Sequence, residues 1–413
     1  MTGEYGFGRY RFTSQLWVIF SAALVSAFGF GIIFPFIAIY LVNNIGLGDA
    51  LAGVVMMCYT VTGTVFMLAG GAWADKLGRK KVMTAALAAE AATLCMYAFA
   101  SSFLMFVGVA LLHGAVSSLY FPAANAMVAD IVPTGKRPFA FTTLRIAQNS
   151  GVAIGPTLGS VMILTIDIRQ MFILSGMAIA VAFLIILAKT RETLPEKAAE
   201  EFSYRDTRKV LRDGVYLFLC MMILLNAFAY AQFFSSLPVY ATNDLGVTVS
   251  GVALFFALNG AMVVALQIMI TNHAVKLRRS SALAIGQALT ALGVGLIFFA
   301  DGFTGVLVAV AILTFGELFL SAVMFALVAD LSAEKMRGTY MGFTGLVMGI
   351  GEGIGMLLGL TLLDVLEMRS LLWIIVAVAS VPAVFGFAYL RKVVPDGVDR
   401  GRCSRYEAPG NEG

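Results

Sequence analysis

The sequence predicts an all-α membrane protein of twelve transmembrane helices, arranged as two pseudo-symmetric six-helix bundles. Three observations predict it. Of 413 residues, 60% are hydrophobic and only 13% charged. The apolar residues fall into twelve runs, each about long enough to cross a bilayer, and the basic residues occupy alternate breaks between them. A soluble domain is about 45–50% apolar and about 25% charged, so a chain this apolar must use the bilayer as part of its solvent. Hydrocarbon offers an open backbone no partner, so each run is read as a helix.

Span 1, residues 16–40, has full membrane length and lacks the small-residue cleavage pattern of a signal peptide. Spans 2 to 6 follow at 51–72, 82–100, 103–129, 139–163 and 171–188. The longest polar stretch, 189–214, reads as a linker between an N-terminal bundle, 1–188, and a C-terminal bundle, 215–390. Spans 7 to 12 lie at 215–240, 251–270, 281–299, 304–329, 339–363 and 371–390, and a polar tail occupies 391–413. Of the 28 Lys and Arg, all but Arg145, Arg169 and Arg369 fall in breaks that share one face with both termini. By the positive-inside rule that face is cytoplasmic. A miscounted span would scramble this asymmetry. The four cysteines are scattered, with no disulfide or metal-site spacing.

The two halves repeat. A shift of 200 superimposes Tyr40 on Tyr240, Asn43 on Asn243, Arg79 on Arg279, Asp130 on Asp330, Arg137 on Arg337, and Gly151, Gly155 and Gly159 on Gly351, Gly355 and Gly359. The matches cluster at helix ends and in one glycine ladder, where geometry restricts residue choice. Such parallel repeats build one large transporter class.

After span 2 the chain reads Gly71-Ala-Trp-Ala-Asp75-Lys76-Leu77-Gly78-Arg79-Lys80-Lys81. It resembles the signature loop of the major facilitator superfamily, G-x-x-x-D-[RK]-x-G-[RK]-[RK]-[RK], at every marked position. Gly71 is expected to admit a neighbouring helix. Asp75 is expected to face a helix N-terminus, whose dipole favours an anion, and Arg79 to pair with Asp130. Such a latch would hold the halves together when the outer side is open. The repeat of this loop carries Val275 where the first has Asp75. Asp130-x6-Arg137 and Asp330-x6-Arg337 cap spans 4 and 10, and each acid is expected to reach the basic loop of its own half in a structural and gating ion-pair role.

Span 5 carries Gly151-x3-Gly155-Pro156-x2-Gly159, then Ser160. It is similar to the antiporter motif of exporters in the same superfamily, G-x-x-x-G-P-x-x-G-G, except at its last position. Small residues every fourth position form a groove for a second helix. The stretch Arg337-Gly-Thr-Tyr-Met-Gly-Phe resembles the multidrug members of the twelve-helix drug:proton antiporters. Many of these carry an arginine where Ala110 stands, and an acid in span 1 that is missing here.

This resemblance implies secondary active transport by alternating access, with proton-coupled efflux of small amphipathic or drug-like molecules. It implies a monomer in the plasma membrane of a prokaryote. Its partners would be a small-molecule substrate, protons and membrane lipids, with no cofactor, metal or nucleic acid. It also implies that spans 1, 4, 7 and 10 line the cavity, that spans 2, 5, 8 and 11 flank it, and that the rest lie outside.

Polar groups inside a membrane are costly and mark function. Span 10 aligns Thr314, Glu317 and Ser321. Span 4 aligns His113, Ser117 and Tyr120, with Asn125 off that stripe on a straight helix. Span 7 aligns Asn226, Tyr230 and Phe233. Each is the stripe that a helix facing a wet cavity shows. Glu317 is the first choice for a proton-carrying carboxylate and Glu352 the second. Arg145 is the counter-charge to either, or an anchor for an anionic substrate. Glu90, in a span expected to be peripheral, reads as structural. Three other readings stay open: a proton symporter importing a polar metabolite, an uncoupled lipid flippase, and a membrane enzyme or receptor. No phosphate-binding loop, HExxH or GxSxG motif supports the last.

Overall fold

A computed structural model of the chain describes residues 13–132, 137–163, 165–194, 210–332, 336–401 and 405. Its regular elements are helices, with no strand among the described residues. The first six are α1 (Ser14–Asn44), α2 (Asp49–Leu77), α3 (Arg79–Phe99), α4 (Phe103–Ile131), α5 (Arg137–Met162) and α6 (Ile168–Lys189). The second six are α7 (Gly214–Asn243), α8 (Val249–Ala274), α9 (Arg279–Phe299), α10 (Phe303–Leu331), α11 (Arg337–Val365) and α12 (Leu371–Val393). A short α13 (Asp396–Asp399) follows. Of the expected linker, residues 195–209 lie outside the described residues.

Eleven of these helices are long and apolar enough to cross a membrane. The remaining long one, α5, has 26 residues but gathers Arg145, Gln148, Asn149 and Ser150 within two turns. That polarity belongs to a helix with one wet face. Outward-facing apolar side chains such as Leu104 (76% exposed), Ile268 (74%) and Phe385 (70%) give the bundle a surface suited to lipid rather than water.

Three helices are interrupted. Pro35 has no N–H to donate, and α1 tightens to a 3-10 turn at Phe34–Phe36. The α4 helix breaks between Ser117 and Tyr120, and α7 between Ala231 and Ser236. Each break resets the direction in which the next turns point.

The packing repeats between halves. In the first, α1 packs on α5 and α6, α3 on α4 and α6, and α2 on α4. In the second, α7 packs on α11 and α12, α9 on α10 and α12, and α8 on α10. The halves meet along α2 with α11 and along α5 with α8, two contacts exchanged by the pseudo-two-fold.

Lipid tails are as apolar as leucine, so close packing rather than burial holds such helices together. The glycine ladders provide it. A Cβ on Gly151 would come within 2.7 Å of Phe28 N, and one on Gly155 within 2.7 Å of Gly31 Cα. On Gly159 it would lie 2.5 Å from Ile32 O, so no side chain fits between α5 and α1. Pro156 sits in the same seam against Gly31. The second ladder does the same between α11 and α7: Gly351 would meet Leu224 O at 2.7 Å and Gly355 would meet Phe228 O at 2.6 Å.

Candidate functional site

The halves enclose a central cavity with two lobes. The larger, about 560 Å3, lies between α1, α2, α4 and α5 of the first half and α11 of the second. The smaller, about 150 Å3, lies between α5 of the first half and α7, α8 and α10 of the second. Asn149 and Val152 border both. The polar residues of α5 thus form the ridge between the lobes. The flanking helices α2, α5, α8 and α11 contribute as much wall as α1, α4, α7 and α10, which corrects the expectation drawn from the resemblance.

Glu317 projects into the smaller lobe, with Tyr230, Gln267, Ser321 and Arg145 in the same wall. Asn259 Nδ2 donates to Glu317 Oε2 at 2.8 Å and to Thr314 Oγ1 at 3.0 Å. Ser321 Oγ donates to Gln267 Oε1 at 3.1 Å. Arg145 reaches Glu317 electrostatically from the other half. Thr314 is fully buried and does not line the lobe; its hydroxyl donates to Val310 O. Phe233 is also buried, packed behind Tyr230 and Phe234, and Phe234 takes the cavity position.

The larger lobe is lined by Ser117 and Tyr120 of the span 4 stripe, by Glu352, and also by Glu90. Glu90 is 5% exposed and opens onto the lobe from α3, correcting its reading as peripheral and structural. His113 does not reach this lobe. It is buried in an aromatic box, its ring 4.9 Å from Tyr59 and 5.7 Å from Tyr97, beside a void of about 10 Å3. Asn125 follows the break in α4 and lies outside both lobes, exposed. Asn226 turns to α9, where its Nδ2 donates to Gln287 Oε1 at 2.8 Å.

The two faces of the bundle differ. On the face poor in basic residues the halves are joined. Asn43 and Asn243 exchange amide hydrogen bonds of 2.8 and 3.0 Å, and the Phe34 and Phe234 rings lie 5.5 Å apart. Arg369, from the α11–α12 connection, pairs with Asp49 of α2 and, at 3.4 Å, with Asp244. This clasp escaped the sequence reading, which used Arg369 only for topology. The cavity is therefore closed on this face.

On the basic face the signature-loop residues lock each half to itself. Arg79, 6% exposed, pairs with Asp75 and with Asp130 at 3.2 Å. Arg279 pairs with Asp330 at 2.6 Å in the second half. Gly78 adopts φ +107°, a conformation that side chains resist, and so turns α2 into α3. Two expectations are corrected. A Cβ on Gly71 would meet nothing within 4 Å, whereas one on Gly70 would come within 3.1 Å of Leu119 Cα, so Gly70 makes the close approach. The anion at the α3 N-terminus is Glu192, not Asp75: it accepts from the Arg79 N–H at 2.8 Å and the Lys80 N–H at 3.1 Å. Asp399 of α13 does the same at α9, accepting from Ser280 N at 2.8 Å and Ser280 Oγ at 2.9 Å. Beside it, hydrogen bonding from Arg278 holds the Asp396 carboxyl below the usual carboxylate range. The side chains of Arg137 and Arg337 lie outside the described residues.

A two-half bundle of membrane-length helices around a largely apolar cavity that carries acidic and amide side chains, closed at one face, is the architecture of a transporter. The Major Facilitator Superfamily model matches residues 19–279 and 243–402, and the chain belongs to that family. It is 26% identical to a Na(+), Li(+), K(+)/H(+) antiporter of Planococcus maritimus, over 87% of this chain and 91% of that protein. It is 23% identical to the multidrug resistance protein MdtH of Aeromonas hydrophila, over 87% of this chain and 90% of that one. Among solved structures, a POT family transporter in complex with 5-aminolevulinic acid matches with a TM-score of 0.81 at 16% identity, covering 94% of this chain and 98% of that one. Peptide transporter POT in complex with sulfate matches at 0.80 and 15%, covering 96% and 97%. The protein is an integral membrane transporter, not an enzyme.

Proposed function

We propose that the protein is a proton-coupled exporter of small amphipathic molecules, working by alternating access with both termini in the cytoplasm. The observation that carries this reading is the setting of Glu317. Its half-buried carboxyl belongs to the second half and accepts from Asn259, while the cation nearest it, Arg145, belongs to the first. An ionised carboxylate inside a membrane needs water, a partner or a proton. Rocking of the halves changes the distance to Arg145, so the proton affinity of Glu317 is tied to which face is open. That link is the physical requirement for coupling. On this reading the clasp on the basic-poor face closes the outer side, which fits an inward-facing state that loads from the cytoplasm. The names of the antiporter and multidrug resistance relatives support exchange and efflux.

The experiment is accumulation in everted vesicles, with and without a pH gradient, over a panel of lipophilic cations and anions, with Na+ and K+ as separate arms. Glu317→Gln imitates the protonated form. It is expected to abolish pH-driven accumulation at normal membrane expression. Undiminished, equally pH-dependent accumulation by that variant would remove Glu317 from the coupling role. Exchange confined to Na+ or K+ would replace the amphipathic substrate by a metal cation.

A further inference from the structure

The two lobes differ in how their charges are matched. In the smaller lobe Glu317 has Asn259 bonded to it and Arg145 facing it. The larger lobe has two carboxylates, Glu90 from α3 and Glu352 from α11, and no Lys, Arg or His in its wall among the described residues. Neither acid has an ion-pair partner among the described residues. A second observation is independent of these acids. Tyr120, 2% exposed, lines the same lobe, and its hydroxyl has no hydrogen-bond partner. A buried hydroxyl left unpaired costs free energy, so one carried by a residue of the lobe wall marks a place where a ligand or water completes the bond.

We propose that the larger lobe holds the positive charge of the transported molecule between Glu90 and Glu352, and that the substrates are organic cations with apolar or aromatic faces. This inference rests on the exporter reading and names its substrate class. Two acidic side chains with no fixed counter-charge in the wall favour a cation that enters this lobe. Phe30, Tyr59 and Phe121 line the same wall, and aromatic faces attract desolvated organic cations. A lobe of about 560 Å3 falls within the roughly 300–1,000 Å3 range of drug-sized sites. Glu90 belongs to the first half and Glu352 to the second. A cation between them bridges the halves, so its binding bears on the same motion that separates Arg145 from Glu317.

The test uses the full-length protein in phosphatidylcholine nanodiscs and two probes of similar shape, tetraphenylphosphonium and the neutral triphenylphosphine oxide. Wild type is expected to bind the cation more tightly than the neutral probe. Glu90→Gln and Glu352→Gln should each weaken cation binding about tenfold or more, the loss of one close charge contact. Neutral-probe binding should stay within about twofold, which also reports an intact cavity. Glu90→Asp should restore most of the cation affinity. Equal binding of the two probes by wild type, or wild-type cation affinity in both Gln variants, overturns the assignment. Parallel loss of both probes also overturns it, because the acids would then shape the cavity rather than recognise charge. The exporter reading is judged separately, by pH-driven accumulation in Glu317→Gln.

Discussion

Arg369→Ala should shift the protein away from the state described above. Arg369 joins the halves on the basic-poor face through Asp49, with Asp244 completing the clasp. The Arg369 side chain is 25% exposed and that of Asp49 9%. The pair is therefore neither a surface bridge, worth about 0–1 kcal/mol, nor a fully buried one, whose breaking costs about 3–5 kcal/mol. An intermediate loss of about 1–2 kcal/mol changes the ratio of closed to open populations by about 5–30-fold, at about 1.4 kcal/mol per tenfold. The amide pair Asn43–Asn243 remains, so closure is weakened rather than abolished. Double electron–electron resonance between spin labels at Asn44 and Asp301, with the native cysteines replaced, reads the opening of this face directly. The variant should show a long-distance population at the expense of the short one, and Arg369→Lys a smaller shift. An unchanged distance distribution in Arg369→Ala would refute the clasp as a determinant of the closed state.

The packing and lock residues give two further expectations. Gly155→Leu should stop transport and lower the melting temperature, because even a Cβ there would stand 2.7 Å from Gly31 Cα, and overpacking costs about 1–3 kcal/mol or more; normal transport by this variant would discard the close seam between α5 and α1. Arg79→Ala should slow turnover and destabilise the first half much more than Asp75→Asn. Arg79 is buried against two acids, while Asp75 is half exposed and its loss leaves the Arg79–Asp130 pair in place. Turnover and melting curves of the two variants, at matched expression, decide this, and equal effects would contradict it.

Much of the architecture was legible in the sequence because it rests on local or periodic constraints. Span length follows from bilayer thickness, and the positions of the breaks from where Lys and Arg can stay solvated. The ladder Gly151, Gly155, Gly159 announced a tight seam because only small residues at that spacing allow one. The offset of 200 announced its counterpart on α11, and the resemblance of the Gly71–Lys81 loop fixed the family. The sequence did not name the partner helices. That α5 seats on α1 and α11 on α7 is a tertiary fact.

Only the tertiary structure decided which polar groups face the cavity. A helix turns about 100° per residue, so Thr314 stands about 60° from Glu317 and only about 20° from Ser321; it is nonetheless fully buried, bonded to Val310 O and covered by Asn259 of α8. Phe233 was aligned as if α7 were continuous, yet the break at Ala231–Ser236 contains it, and Asn125, already off the stripe of a straight helix, follows the break at Ser117–Tyr120 and is exposed. His113 keeps its stripe but lies beyond Tyr59, whose ring lines both the larger lobe and the small void beside His113. Glu90 had no neighbours in sequence to mark it, and it reaches the lobe only because α3 packs against α4. The Arg369–Asp49 clasp joins residues 320 apart. Periodicity assigns residues to one face of one helix. Which face is wet depends on where the neighbouring helices lie, and that is fixed by packing between distant parts of the chain.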